Sequence, residues 1–243
     1  MLRALAQQTP TPRVPLIDGD GFTATPWFDG PSTHEVFAPA RTGTADPAQQ
    51  AAMLGAAAGF CRAVAELHRL GWVHADLQAA HCIHTADGPR LIDLAAAQGP
   101  RPLPHPGLNT PFEGGLVHLE APELARPLAA GTTVHPAYTS DVYALAAALW
   151  TAATGHWPLD YTAAGIYTAA GINLRTATTT ELRTAIGTAT LSLRADPAPW
   201  PALADILTPA LDADPRCRPR AADLADTLET AVAPYERTVA TAR

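Results

Sequence analysis

Apolar residues recur at helical spacing between Asp46 and Leu70, where Met53, Leu54, Ala57, Phe60, Val64 and Leu67 fall on one stripe. Asp46 at the N-cap, Pro47 behind it and Gly71 past the end bound a long buried helix. "VPLID" and "FTATPWF" around "DGDG", residues 14 to 28, read as a hairpin. "ADG" makes a second turn, between short strands in "HCIHTADGPRLIDL". Residues 95 to 118 are rich in Pro and Gly and have little periodicity, which predicts a long loop of the kind that often carries function. A second apolar helix follows in "TSDVYALAAALWTAATG", capped by Thr139 or Ser140 and stopped by Gly155. The echo "TAAGIYTAAGI", 162 to 172, is too short for a solenoid. "RTATTTELRTAIGTATLSLR" predicts a helix with weak edges, and two closing helices come after it. The order is a little β in front and mostly α behind, an α+β class.

Composition narrows the partners. At 243 residues with a formal charge of −7, the chain is a packed globule rather than a nucleic-acid or anionic-membrane binder. All 16 basic residues are arginine, which excludes chemistry that needs a lysine amine. Three widely spaced cysteines suggest reduced thiols, and no apolar run reaches membrane-spanning length. Together these point to a soluble, cytoplasmic protein.

The stretch "GWVHADLQAAHCIHT" places His74, Asp76 and His81 in a polar turn between apolar runs. "HADLQAAH" resembles the catalytic loop of protein kinases, H-R-D-L-K-P-x-N. "LIDLA" stands where their metal-binding D-F-G follows its strand, and "HLEAPEL" matches their A-P-E element. "TSDVYALAAALWTAATGHWPL" and "DADPRCRPRAADL" resemble two further kinase helix motifs. Five elements in order, from about residue 14 to 232, imply a protein-kinase-like fold. Residues 1 to 30 then form a truncated remnant of the N-terminal lobe, and 31 to 243 the helical C-terminal lobe. Only thirteen residues precede Val14, whereas the rest of such a lobe needs roughly 30.

The resemblance assigns roles residue by residue. Asp76 is the base and Asp93 the metal ligand, while Trp27, Phe28 and Gly30 are the adenine contact at the hinge. His74 belongs to the framework, as do Asp141, which accepts backbone N–H bonds from the "HAD" turn, and Glu123, which pairs with Arg218. Ala75 replaces an arginine that senses a phosphorylated loop, Gln78 the phosphate-steadying lysine, and Leu94 and Ala95 the Phe and Gly after the metal-binding Asp. His81 fills the slot of an asparagine that holds a second Mg²⁺. Imidazole is a poor Mg²⁺ ligand, so Asp76, His81 and Asp93 suit Mn²⁺ or Zn²⁺, or else His81 hydrogen-bonds a carboxylate with no metal present. His84, facing the other way along its strand, is not counted as a ligand. His118 and Glu120 stand where kinases place substrate-reading residues.

Three readings follow. The first is a degenerate, minimal phosphotransferase acting on a Ser/Thr hydroxyl, using ATP and a divalent metal (Mg²⁺ or Mn²⁺), its site completed by a protein or peptide partner. The second is a pseudokinase binding module, with a homodimer or docked enzyme covering the surface the short lobe exposes. The third is metal-dependent chemistry of another kind on the same fold.

Overall fold

The core of the fold is helical, and its strands form two separate two-stranded sheets. The structure is a computed structural model that describes residues 17–19, 22–24, 27–99, 111–166 and 177–241, the backbone alone at 17–24, 163 and 236–241. The tip of the first hairpin, the loop centre at 100–110 and the second half of the 162–172 echo lie outside the described residues.

Strands β1 (Ile17–Gly19) and β2 (Phe22–Ala24) pair antiparallel, Ile17 opposite Ala24. Two single-turn helices follow, α1 (Thr33–Val36) and α2 (Ala38–Arg41). Helix α3 (Pro47–Arg69) starts as its sequence predicts: the Asp46 carboxylate accepts the Gln49 N–H at 2.7 Å, and the Gln49 side chain accepts the Asp46 N–H in return. All six predicted core positions on it are buried. Strands β3 (Cys82–Thr85) and β4 (Gly88–Leu91) form the second antiparallel pair, joined through the predicted turn.

Helix α4 (Pro122–Ala129) precedes α5 (Tyr138–Thr154), whose interior is buried on nearly every side. The N-cap of α5 is Ala137, two residues before Thr139 and three before Ser140, the caps expected from sequence. Ser140 sits at the third helical position and its hydroxyl accepts the Ala137 N–H at 3.0 Å, capping from inside the turn. Gly155 ends the helix at φ 73°.

Helix α6 (Thr179–Gly187) is half the length its Thr-rich stretch suggested. Thr188 donates its hydroxyl to the Ala185 carbonyl at 2.7 Å and Ala189 takes φ 57°, so local side-chain bonds terminate the helix. Helices α7 (Pro201–Leu207) and α8 (Ala221–Thr241) close the fold, with α8 laid along α3.

Leu145, Leu149 and Trp150 of α5 meet Met53, Phe60 and Val64 of α3, Leu203 and Leu207 of α7, and Leu224 and Leu228 of α8 in one cluster. Each of the larger side chains contributes about 2–3 kcal/mol on burial. Ala125, Leu159, Tyr161, Leu182 and Ile186 form a second cluster, which fixes α6 to α4. Among the described residues no helix is long and apolar enough to cross a membrane.

Candidate functional site

The polar turn after α3 is held from below by one buried carboxylate. Asp141, in the first turn of α5, accepts the His74 N–H at 2.7 Å and the Ala75 N–H at 2.9 Å, and His68 Nε2 lies 2.9 Å from the same carboxylate. These bonds hold Ala75 at φ 68°, a left-handed conformation costing on the order of 1–3 kcal/mol at a non-glycine residue. From above, Val73 and Gln98 exchange N–H···O bonds at 2.8 Å. His74 is fully buried. Desolvation pushes its pKa down, so the ring is neutral; Nε2–H donates to the Ile92 carbonyl at 3.0 Å, and Nδ1 is the acceptor nearest the Asp76 N–H. One histidine thus ties the turn to the segment that carries Asp93.

Asp76, His81 and Asp93 come together there. Each offers a ligand atom, and the three atoms lie within 4.8 Å of one another. His81 Nδ1 is 2.8 Å from the Asp76 carbonyl oxygen, which can only accept, so Nδ1 carries the proton and the Nε2 lone pair is left pointing outward. Nε2 lies 3.6 Å from Asp93 Oδ2, too far for a direct hydrogen bond. A ring oriented through Nδ1 by a carbonyl, with Nε2 and two carboxylates around one point, is the usual outer-shell arrangement of a histidine metal ligand. The donor set of one nitrogen and two oxygens therefore fits a divalent cation, Mn²⁺ or Zn²⁺ better than Mg²⁺. Asp93 itself sits at φ 55°, ψ 56°, with its side chain half exposed. His84 lies apart from this group, its Nε2 hydrogen-bonded to Thr33 Oγ1 at 2.8 Å.

The Asp76 carboxylate has further partners that the sequence did not disclose. Gln78 Nε2 donates to both oxygens at 3.2 Å, and the Leu116 N–H donates to Oδ1 at 3.1 Å. Gly115 makes that approach possible, since a Cβ there would lie 2.6 Å from Asp76 Oδ1. Asp76, Gly115, Leu116 and Glu120 help to line a cavity of about 20 Å³, room for one water.

His118 and Glu120 are not presented to a substrate. His118 is buried, stacked on Trp157 at 4.4 Å and hydrogen-bonded to the Tyr161 hydroxyl at 3.1 Å; burial pushes its pKa down to about 4. Glu120 is buried against Arg183, which donates to both its oxygens at 2.9 and 2.8 Å. Burial raises the Glu120 pKa, and the guanidinium opposes that rise. No local sequence signal announces the pair, whose members are 63 positions apart.

Glu123 accepts two bonds from Arg218, at 2.7 and 2.9 Å. The Arg218 side chain is fully buried, also donates to the Asp212 and Thr139 carbonyls, and lies 4.9 Å over the Tyr143 ring. Trp27, expected from sequence at a hinge, is 89% exposed, and Phe28 is half-buried. Gly30, at φ 148°, lies so close to β3 that a Cβ would sit 2.1 Å from the His84 carbonyl oxygen.

With this geometry in place, comparison with known proteins gives a partial answer. No family model matches the chain. It is 30% identical over 148 residues to the serine/threonine-protein kinase AfsK of Streptomyces griseus, covering 59% of this chain and 17% of that protein. AfsK of Streptomyces coelicolor matches to the same extent. The probable serine/threonine-protein kinase PkwA of Thermomonospora curvata is 35% identical over 102 residues, 42% of this chain and 13% of that protein. The relationship is kinase-like and partial. The match spans about a sixth of the AfsK length, so it bears on a stretch of those proteins and not on the whole of them.

Proposed function

We propose that the chain is a divergent protein-kinase-like phosphotransferase with a reduced site, acting on a Ser/Thr hydroxyl with help from a partner protein or peptide. The observation that carries this reading is the convergence of Asp76, His81 and Asp93, with the His81 Nε2 lone pair left available by the Nδ1–H bond to the Asp76 carbonyl. Asp93 and His81 would hold the divalent cation, and Asp76, the third member of the group, would stay free of it to receive the proton of the attacking hydroxyl. A cation bound there neutralises charge on the phosphoryl group being transferred. His74 and Asp141 keep the turn rigid, so Asp76 and His81 hold their relative positions without rearrangement. Gln78 supplies neutral amide donors beside Asp76, a weaker arrangement than a charged donor. The nucleotide base lies against Trp27, Phe28 and Gly30, where an exposed indole offers a stacking surface.

A second reading, a pseudokinase that binds a partner without turnover, is favoured by two features. The sequence contains no lysine, and the Asp76 carboxylate is already occupied by Gln78 and Leu116.

Thermal shift with ATP and Mg²⁺, Mn²⁺ or Zn²⁺, on wild type and Asp93→Ala, separates the two. Saturation to about a hundred times Kd adds roughly 2.7 kcal/mol, or roughly 5–10 °C at this size. A nucleotide shift that requires Mn²⁺ and disappears in Asp93→Ala supports transfer. No shift with any pairing overturns it in favour of the binding module. A shift with metal alone supports the metal site but redirects the chemistry away from nucleotides.

A further inference from the structure

On the far side of the Asp141 carboxylate from the polar turn, α3, α5 and the start of α8 enclose a hollow of about 550 Å³, the size of a small-molecule site. Its floor is small and apolar: Ala65, Val142, Pro219, Ala221 and Ala222. One wall is aromatic, with the His68 and Tyr138 rings 4.7 Å apart and Tyr138 46% exposed, unusual for a large side chain in this fold.

The polar rim consists mostly of donors. Arg62, Arg69 and Arg220 line it. Each is gripped on its Nε and Nη2 edge: Arg62 by Asp226 and Glu229, Arg69 by Glu66, and Arg220 by Asp223. Among the described residues the Nη1 group of each has no hydrogen-bond partner. The three guanidinium planes are thus oriented, with donor capacity left over and no acceptor of their own. Four carboxylates hold the three guanidinium groups, so the rim carries no net positive field and what remains is short-range and directional. Such a rim suits an acceptor-only group, and the strongest of these is a carboxylate bonding to guanidinium.

From this arrangement we infer that the hollow is a binding site for a small, planar, apolar molecule carrying one carboxylate. The body stacks on Tyr138 over the alanine floor, and the carboxylate takes Nη1 donors at the rim. Ligand shape and charge are both specified: a cation meets guanidinium groups and, as acceptor, a Glu66 carboxylate that Arg69 already engages, and a bulky polar body loses its hydration against alanine and proline. The site shares no lining residue with Asp76, His81 or Asp93, so it stands whether or not those residues hold a metal.

The test uses the full chain and 2-naphthoate as probe, with 2-naphthamide and 2-naphthylmethylamine as neutral and cationic counterparts. Amide chemical shifts are followed by NMR on wild type, Ala222→Trp, Arg69→Gln and Arg220→Gln, each variant checked for folding by circular dichroism. Naphthoate is expected to bind with Kd on the order of 1 mM or below, perturbing Tyr138 and Ala222, and to bind at least about tenfold more tightly than the amine. Ala222→Trp fills the hollow and abolishes the response. Arg69→Gln and Arg220→Gln, on exposed side chains that leave the fold intact, weaken naphthoate severalfold but not naphthamide. The inference is overturned by three results: no saturable binding of naphthoate to wild type, binding that survives in folded Ala222→Trp, or naphthoate affinity unchanged in both arginine variants. Should Ala222→Trp fail to fold, the arginine variants decide.

Discussion

At the scale of single residues, His118 shows how burial turns an ordinary histidine into a sensor of acid. It is enclosed by Trp157 and Tyr161 and its pKa is held near 4, against 6.5 for an exposed imidazole. Between pH 6.5 and 4 the unfolded chain binds a proton at this position that the folded chain refuses. Stability therefore falls as pH drops through that window and the loss levels off below 4. The size, integrated over the window, is roughly 2–3 kcal/mol. Urea midpoints for wild type and His118→Gln between pH 7.5 and 4 test this: the wild-type curve minus the variant curve should slope down over that window. Parallel curves would mean that His118 takes up its proton alike in the folded and the unfolded chain, so that its burial costs the charged ring nothing. The same burial explains why position alone misled for His118 and Glu120. Both stand just before "APEL", where sequence suggests contact with a substrate, but Trp157 and Arg183 arrive from distant parts of the chain to cover them. Asp76, His81 and Asp93 were legible because spacing along one turn and one strand pair brings them together. The Gln78 and Leu116 donors on Asp76 were not, because a glycine at 115 gives no hint of which carboxylate it will approach.

At the scale of elements, the segment leading into α1 meets the second strand pair at Gly30. The Pro31 carbonyl accepts the His84 N–H at 2.9 Å, and Ser32 bridges to Ile83. Gly30 allows this contact for two reasons, φ 148° and the absence of a Cβ that would run into the His84 backbone. Backbone, unlike a flexible side chain, cannot step aside. Gly30→Ala should cost about 2–4 kcal/mol, as overpacking and backbone strain combined. Gly43→Ala is the control. Gly43 also has positive φ, 68°, but faces open space, so it should lose only about 1 kcal/mol. Equal losses in urea unfolding would show that the close approach to β3 carries no energy. Elements fixed by local chemistry were the readable ones: the stripe and capping box of α3, the turn before Gly88, and the glycine stops at 71 and 155. The start of α5 and the bounds of α6 were not, because Ser140 and Thr188 bond backbone groups in ways that a hydrophobic pattern does not encode.

At the scale of the whole molecule, Glu123 and Arg218 fasten the segment that covers Asp76 to the helices that close the fold, across 95 positions of sequence. Sequence resemblance could name this pair but not its energetics, which depend on burial. Arg218 has no exposed side-chain surface, while Glu123 keeps 30% of its own. Removing the carboxylate leaves a buried cation with, among the described residues, the Asp212, Ala213 and Thr139 carbonyls and the Tyr143 ring for compensation. Breaking a buried pair from one side costs about 3–5 kcal/mol, and the carbonyls that remain put Glu123→Gln toward the lower end. Replacing both partners, Glu123→Leu with Arg218→Met, removes the stranded charge and should recover most of that loss. Urea unfolding of the two singles and the double measures the coupling. If the double is no more stable than Glu123→Gln, the pair acts mainly as a source of packing, through the arginine stem and the Tyr143 ring. If it recovers, the charges serve to choose one docking of the covering segment over others, and its register on Asp76 should loosen in the double variant, seen as faster hydrogen exchange at the Leu116 amide.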